Sequence, residues 1–323
     1  LLISFLRNAE RLHCLCTLQW NSESACRNPL WDQLKTCKSI LLAGCGGGYD
    51  VFSALPLYFA LRNERKSVHL SNLTFTDTEV LKVSPDVPRC SHCVSLSRVA
   101  PERLDRRRYF AAVRLAQNQR GCGRTRVSVA AGYWCRYTFI RSGVKQQTEA
   151  YAQLVKYLEL DAIVLVDGGT DSLMRGDEEG LGTPGEDMLS IGSVNAVEVG
   201  RAYGVSCKLL ICLGFGVDCH HGVSHGRFLE NVAAIGKMGG FLGAFSLLRE
   251  MREAQKFGDA YNVCFGFMHT SGLPSREQYC LVLSAVNNEF GNAQRTSKSE
   301  LFINALMSLY WTFTLDAVRV VSL

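Results

Sequence analysis

Short apolar segments alternate with longer amphipathic segments along the chain from residue 28 onward. Apolar runs rich in β-branched residues are typical of strands, and apolar residues three and four positions apart are typical of helices. The pattern predicts strands over 38–43, 68–75, 137–140, 162–166, 207–213 and 261–267. It predicts helices over 50–63, 147–158, 227–251, 276–290 and 300–318, with Pro56 interrupting the first of them.

This alternation predicts an α/β fold, with a mostly parallel, doubly wound Rossmann-like sheet and helices on both faces. We expect one α/β domain over residues 28–323, carrying an irregular arginine-rich insertion at about 84–136. Residues 1–27 read as an extra N-terminal segment outside the core. Because the first residue is leucine, we expect the chain to be a fragment or a processed product.

A glycine turn follows the first predicted strand, and it is the clearest sign of ligand binding. We predict that Gly46, Gly47, Gly48 and Asp50 contact a ligand. Glycines allow the backbone to approach a ligand closely, and the amides of the following helix face it. The dinucleotide fingerprint is incomplete, because Tyr49 stands where its third glycine would be.

A second loop, rich in glycine and carboxylates, follows the strand predicted over 162–166. We predict Asp167 and Asp171 as catalytic residues, either as general base or as contacts to a hydroxyl group. The predicted ligand contacts here are Gly168, Gly169 and Thr170. Oxygen-rich loops suit a divalent cation such as Mg²⁺ or Mn²⁺, for which the candidate ligands are Asp171, Asp177 and Glu178. The alternative is a solvated acidic loop in which Asp187 caps the next helix.

A third loop, after the strand predicted over 207–213, supplies a ligand contact and two histidines. We predict Asp218 as the ligand contact, and His220 or His221 as a proton carrier near neutral pH. The alternatives are a zinc or iron site that includes His225, and histidines that only cap the following helix. A fourth loop, with His269, Thr270 and Ser271, would follow the strand at 261–267. Since ligands bind at the carboxyl ends of parallel strands, we expect the four loops to form one crevice.

The composition of the chain indicates the class of protein and the compartment in which we expect it. Hydrophobic residues make up 47% of the chain and the net charge is +5, a globular balance without an apolar run long enough to span a membrane. Fourteen cysteines without an export signal favour a reduced, cytoplasmic setting. Between Arg89 and Arg141 there are twelve arginines and no lysine. We favour a solvated insertion or a misread coding frame over a nucleic-acid-binding patch.

Three segments, in order, carry a resemblance: KSILLAGCGGGYD at 38–50, DGGTDSL at 167–173 with 176–178 and 182–184, and FINALMSLYW at 302–311. Together they resemble the domain of unknown function 1152 family, over about 28–76 and 137–320. Residues 1–27 and 84–136 depart from its pattern. The family has no established activity, so the resemblance supports the fold and the choice of loops and implies no reaction.

These observations predict a hydrolase or group transferase that acts on a small polar or phosphorylated metabolite. The alternative is a non-catalytic module that binds or senses a nucleotide. A small-molecule ligand is the expected partner, and the sequence leaves the oligomeric state open.

Overall fold

The computed structural model describes residues 28–47, 50–74, 93–95, 137–180, 182, 184–197, 204–270, 278–296 and 299–322. The helices are α1 (Pro29–Leu34), α2 (Asp50–Ser53), α3 (Leu55–Asn63), α4 (Val144–Leu158), α5 (Pro184–Ala196), α6 (His225–Lys237), α7 (Arg252–Thr270), α8 (Gln278–Val286) and α9 (Leu315–Ser322). The strands are β1 (Ser39–Gly44), β2 (Ser67–Thr74), β3 (Cys93–Ser95), β4 (Tyr137–Ile140), β5 (Ala162–Asp167), β6 (Cys207–Leu213), β7 (Phe241–Ser246), β8 (Gly291–Thr296), β9 (Ser299–Ile303) and β10 (Leu309–Thr314).

Eight strands form the central sheet in the order β3-β4-β2-β1-β5-β6-β10-β7, and β8 pairs with β9 in a separate hairpin. Strands β4, β2, β1, β5 and β6 are parallel to one another. The edge strand β3 is antiparallel to β4, and β10 is antiparallel to both β6 and β7. The sheet is therefore mostly parallel, as the sequence predicts.

Two hydrophobic cores lie on opposite faces of this sheet. Alternate residues of β1 divide between them, with Ile40 and Leu42 in one core and Leu41 and Ala43 in the other. The first core contains residues of α1, α3, α7 and α8, whereas the second contains residues of α4, α5, α6 and α9. A strand covered on both faces reads as a continuous apolar run, which is why β1 and β5 are recognisable in the sequence. The doubly wound α/β architecture is confirmed.

Several predicted elements agree closely with the structure. The predicted helix over 50–63 is divided into α2 and α3 at Ala54, and Pro56 lies in the first turn of α3, where its missing amide hydrogen costs least. The predicted helix over 276–290 is confirmed as the shorter α8. Of the predicted insertion at 84–136, residues 93–95 form β3. The rest of it, like residues 1–27, lies outside the described residues.

The helix predicted over 227–251 is wrong. Helix α6 ends at Lys237, and a turn through Gly239, whose φ is +73°, leads into β7. Glycine adopts this left-handed conformation without the steric cost of a Cβ, and it commonly ends a helix. Gly240 then packs so closely against Ala317 and Thr314 that a Cβ would collide with them.

Two further predictions in the C-terminal third are wrong. The apolar run at 261–267 lies within α7 and forms no strand, so His269 and Thr270 are helical and follow no strand end, while Ser271 lies outside the described residues. The helix predicted over 300–318 is instead β9, β10 and α9. Short apolar runs do not distinguish a strand from a buried helix, and here tertiary pairing with β6 and β7 decides for the strand.

The order of the strands defines where a ligand is expected. From β1 the chain moves outward to β2 and then β4, and it returns to β5 on the other side of β1. The chain connections after β1 and after β5 therefore run in opposite directions along the sheet. This makes the gap between the carboxyl ends of the two strands a topological switch point, where open α/β sheets form their ligand crevice. Separately, none of the helices in the described ranges is both long enough and apolar enough to span a membrane.

Candidate functional site

The turn after β1 is tightly folded and lies against two carboxylates. Gly46 and Gly47 have φ of +96° and +95°, a region that favours glycine. A Cβ on Gly46 would collide with the carboxylate of Asp187 and lie 3.2 Å from Oδ2 of Asp50. The glycine is therefore required by its conformation and by the space that the two acids occupy. Gly48 lies outside the described residues.

The loop after β5 is built around Asp167. One carboxylate oxygen of Asp167 accepts a hydrogen bond from the Gly169 amide at 2.7 Å. The other accepts from the amide of Ser172 at 3.2 Å and from its hydroxyl at 2.5 Å. Across the switch point, the Gly168 amide donates to Oδ1 of Asp50 at 3.2 Å. Asp167 therefore holds the loop in shape, and this loop touches the turn after β1.

The loop after β6 contributes Asp218, which is 1% exposed. Its Oδ2 accepts a hydrogen bond from the Thr170 amide at 2.9 Å, and it leaves no space for a side chain at Gly169. Farther along the same two loops, the Gly180 amide donates to the Gly222 carbonyl at 3.3 Å. The predicted contacts Gly168, Gly169, Thr170 and Asp218 are thus brought together.

Helix α5 adds a further carboxylate, Asp187, which is 2% exposed. Among the described residues, its Oδ2 has no hydrogen-bond partner. Asp187 lies inside α5, which begins at Pro184, so it is not the N-cap residue that the alternative interpretation of this loop expected. Nearby, Gly182 packs against the carboxylate of Asp171, which is 7% exposed.

We call the region formed by five carboxylates the acidic crevice: its members are Asp50, Asp167, Asp171, Asp187 and Asp218. Burial, followed by the charges of Asp171 and Asp167, raises the pKa of Asp187 well above its usual value. Burial and the charges of Asp167 and Asp171 do the same for the pKa of Asp50. For Asp167, burial and the charge of Asp171 raise the pKa to about 7, although three hydrogen bonds favour its charged form. Burial and crowding therefore favour the protonated forms of Asp50, Asp167 and Asp187.

These properties determine which chemistry the acidic crevice can perform. Neighbouring carboxyl groups with raised pKa values can donate and accept protons at neutral pH. A phosphate group would meet repulsion here from each of these acids that is ionised. In addition, the Gly46 amide is within 3.2 Å of the Ser190 hydroxyl oxygen and donates to it. The glycine turn is thus poorly suited to holding an anion directly.

The predicted metal ligands do not come together. Asp177 forms an ion pair with Arg227 at 3.1 Å, and the carboxylate of Glu178 accepts hydrogen bonds from the backbone amides of Arg175 and Gly176. Asp171, by contrast, is buried in the acidic crevice. Within the described part of the chain, no group of three or more His, Cys, Asp or Glu side chains is arranged to hold a metal ion.

His220 and His221 lie in the loop after β6, in a 3-10 turn over Cys219–His221. His221 is exposed, unlike the buried acids, and the side chain of His220 lies outside the described part of the structure. The ring nitrogens of His225, the first residue of α6, lie 3.0 and 3.1 Å from the sulfur of Cys219. Burial and the charge of Asp218 raise the pKa of the Cys219 thiol to about 11, so this thiol stays protonated.

Sequence reasoning missed the place of Asp187 in the site. A signal was present, because Asp187 shares a helix face with Ile191 and Val194, four and seven positions later. All three side chains are buried. An acid on the apolar face of a helix must be buried when that face packs on the core. Recognising this requires the start of α5, which the surrounding glycines and acids hide.

Part of the chain matches a family model. Residues 107–264 match the family model described as "Protein of unknown function (DUF1152)". This range contains four of the five acids of the crevice, all except Asp50, and it begins inside the stretch at 84–136 that we expected to depart from the family. No curated protein matches the chain. Over residues 107–264 the chain is similar to the DUF1152 family, which confirms the resemblance that its sequence motifs predicted.

Proposed function

We propose that this protein is an enzyme, a hydrolase or a group transferase, that acts on a small polar metabolite in the acidic crevice. The observation that carries the proposal is the meeting of five carboxylates from three strand-end loops and α5 at the switch point of the sheet. Perturbed acids in such a crevice are typical of catalytic sites.

The carboxylates have different surroundings, and this suggests different roles. Asp187 is a candidate general acid, because its raised pKa keeps a proton available and its Oδ2 is free to face a substrate. Asp171 is the candidate general base. Its charge is the largest cause, after burial, of the raised pKa of both Asp187 and Asp167. Asp50 and the backbone of Gly168 to Thr170 are candidate substrate contacts.

Asp167 is better assigned as a positioning residue, since its oxygens are engaged by Gly169 and Ser172. We assign no step to His220 or His221. A divalent cation would be needed only for a phosphorylated substrate, whose charge the acids would otherwise repel. The alternative of a nucleotide-binding module has less support for the same reason.

The test is turnover of a mixed extract of small metabolites, followed by mass spectrometry. We expect the wild-type protein to consume a compound, and Asp171→Asn to consume it at least about 100-fold more slowly, as for loss of a general base. Glu149→Gln, an exposed carboxylate on α4, is the matched control and should behave as wild type. Equal turnover by Asp171→Asn, or no turnover by the folded wild-type protein, would refute the proposal.

A further inference from the structure

One oxygen of the acidic crevice lacks the hydrogen bond that its burial requires. Oδ2 of Asp187 is buried and has no hydrogen-bond partner among the described residues. Buried polar groups are nearly always hydrogen-bonded, so an exception at a ligand crevice indicates a place where a ligand donates. Oδ1 of the same carboxylate lies against Gly46, beside Oδ2 of Asp50.

The two carboxylates together define the chemistry of that donor. Four other acids lie close enough to Asp187 to interact electrostatically with it: Asp171, Asp167, Asp50 and Asp218. Burial and the neighbouring acids oppose ionisation of these carboxyl groups, and a cationic group placed between two of them favours their ionised forms and pairs with them. Asp50 is half-buried and is therefore the member of this pair that lies nearer to solvent.

A nitrogen cation fits this arrangement better than a metal ion does. A metal ion needs several ligand atoms converging at short distances, and no such group is present in the described ranges. An ammonium or guanidinium group carries several separate N–H donors and bonds carboxylates at about 2.7–2.9 Å. It can therefore join two carboxylates that do not share one coordination point. A neutral hydroxyl would satisfy Oδ2 of Asp187 but would not favour the ionised forms of the two acids.

We propose that the acidic crevice binds its small-molecule ligand through a cationic nitrogen, an ammonium or guanidinium group, held between the carboxylates of Asp50 and Asp187. This inference rests on the site of the proposed function, and it adds the class of ligand. It requires nothing of the reaction itself.

The test is calorimetric binding of ethanolamine, putrescine and agmatine at pH 7.5, with 1,4-butanediol as the uncharged analogue of putrescine. We expect at least one of the amines to bind and the diol not to bind. Asp187→Asn keeps the shape of the side chain and removes its charge. Loss of one charge-assisted hydrogen bond should weaken amine binding by about 10- to 100-fold.

Controls separate the crevice from the protein surface. Glu149→Gln removes an exposed carboxylate on α4 and should leave amine binding unchanged. Asp50→Asn should weaken it as Asp187→Asn does. If Asp187→Asn fails to fold, as seen by circular dichroism, Asp50→Asn gives the same test from the more exposed partner.

The outcomes distinguish this inference from the proposed function. No binding of any amine, or binding that both crevice variants retain, overturns the inference; so does binding of MgCl₂ with inorganic phosphate in place of the amines. Turnover of an uncharged metabolite that depends on Asp171 would then leave the proposed function standing. Amine binding without turnover would support this inference and refute the catalytic proposal.

Discussion

The two ends of the central sheet use aspartate in opposite ways. At the amino end, Asp161 precedes β5, and its Oδ2 accepts hydrogen bonds from the backbone amides of Lys38 and Ser39, the latter at 2.9 Å. At the carboxyl end, Asp187 is more deeply buried and leaves Oδ2 without a partner in the described structure. Asp161 therefore links the start of β1 to the start of β5, whereas Oδ2 of Asp187 makes no hydrogen bond that stabilises the described structure.

The difference shows how a functional carboxylate can be separated from a structural one. A structural acid is placed where backbone donors already exist, and its hydrogen bonds compensate for its lost hydration. The acidic crevice gathers more carboxylates than its backbone donors satisfy. Proteins accept such local costs mainly at functional sites.

The largest expected effect is that of a substitution at Gly46, which packs against the Asp187 carboxylate. Gly46→Ala places a Cβ on the Asp187 carboxylate and forces a residue with a side chain to φ near +96°. Conformational strain and overpacking together should cost about 3 kcal/mol in the free energy of unfolding, measured by urea denaturation. Gly185→Ala, in α5 with open space around it, should be neutral or slightly stabilising. Equal effects of the two substitutions would show that the crevice is not closely packed.

The next largest effect is the pH dependence of stability. The pKa of Asp167 is raised from 3.8 to about 7 on folding, and those of Asp50 and Asp187 are raised as well. Between pH 3.8 and about pH 7, the folded protein therefore binds more protons at Asp167 than the unfolded chain does. This stabilisation is complete below about pH 4 and is lost as the pH rises toward 7. We expect the free energy of unfolding to fall by up to about 1.4 kcal/mol per pH unit for each such proton, measured in urea at pH 5.5 and 7.5.

Two matched variants sharpen this result. Because folding raises the pKa of Asp187, burying this acid at pH 7.5 costs free energy. Asp187→Asn removes that cost and should raise the melting temperature on the order of 2–4 °C, and its stability should depend less on pH. Asp161→Asn replaces a charge-assisted acceptor with a neutral one and should cost about 1 kcal/mol. Destabilisation of similar size by both variants would mean that the two acids have the same structural role.

The sequence predicts the parallel half of the fold well, because β1, β4, β5 and β6 are buried on both sides and appear as short apolar runs. It fails at α7 and β10, where aromatic and apolar residues suit either element and pairing with distant strands decides. The predicted gathering of loops holds for those after β1, β5 and β6. The prediction is wrong for the fourth loop, because residues 261–270 belong to α7 and form no strand.

Within the site, residue type and position indicate the crevice but do not assign roles. Asp167 and Asp187 look alike in the sequence, and only the hydrogen bonds from Gly169 and Ser172 identify Asp167 as part of the loop framework. Likewise, Asp177 and Glu178 resemble metal ligands until their partners at the surface are known.

The central claim is that burial and crowding raise the pKa values of carboxyl groups in the acidic crevice. The most direct measurement is titration of the side-chain carboxyl resonances in protein labelled with ¹³C-aspartate, with Asp50→Asn and Asp187→Asn used to assign two of the signals. We predict that the signals of Asp50 and Asp187 titrate well above the usual aspartate value of about 3.9. If both carboxyl groups titrate at or below that usual value, the account of the crevice is wrong.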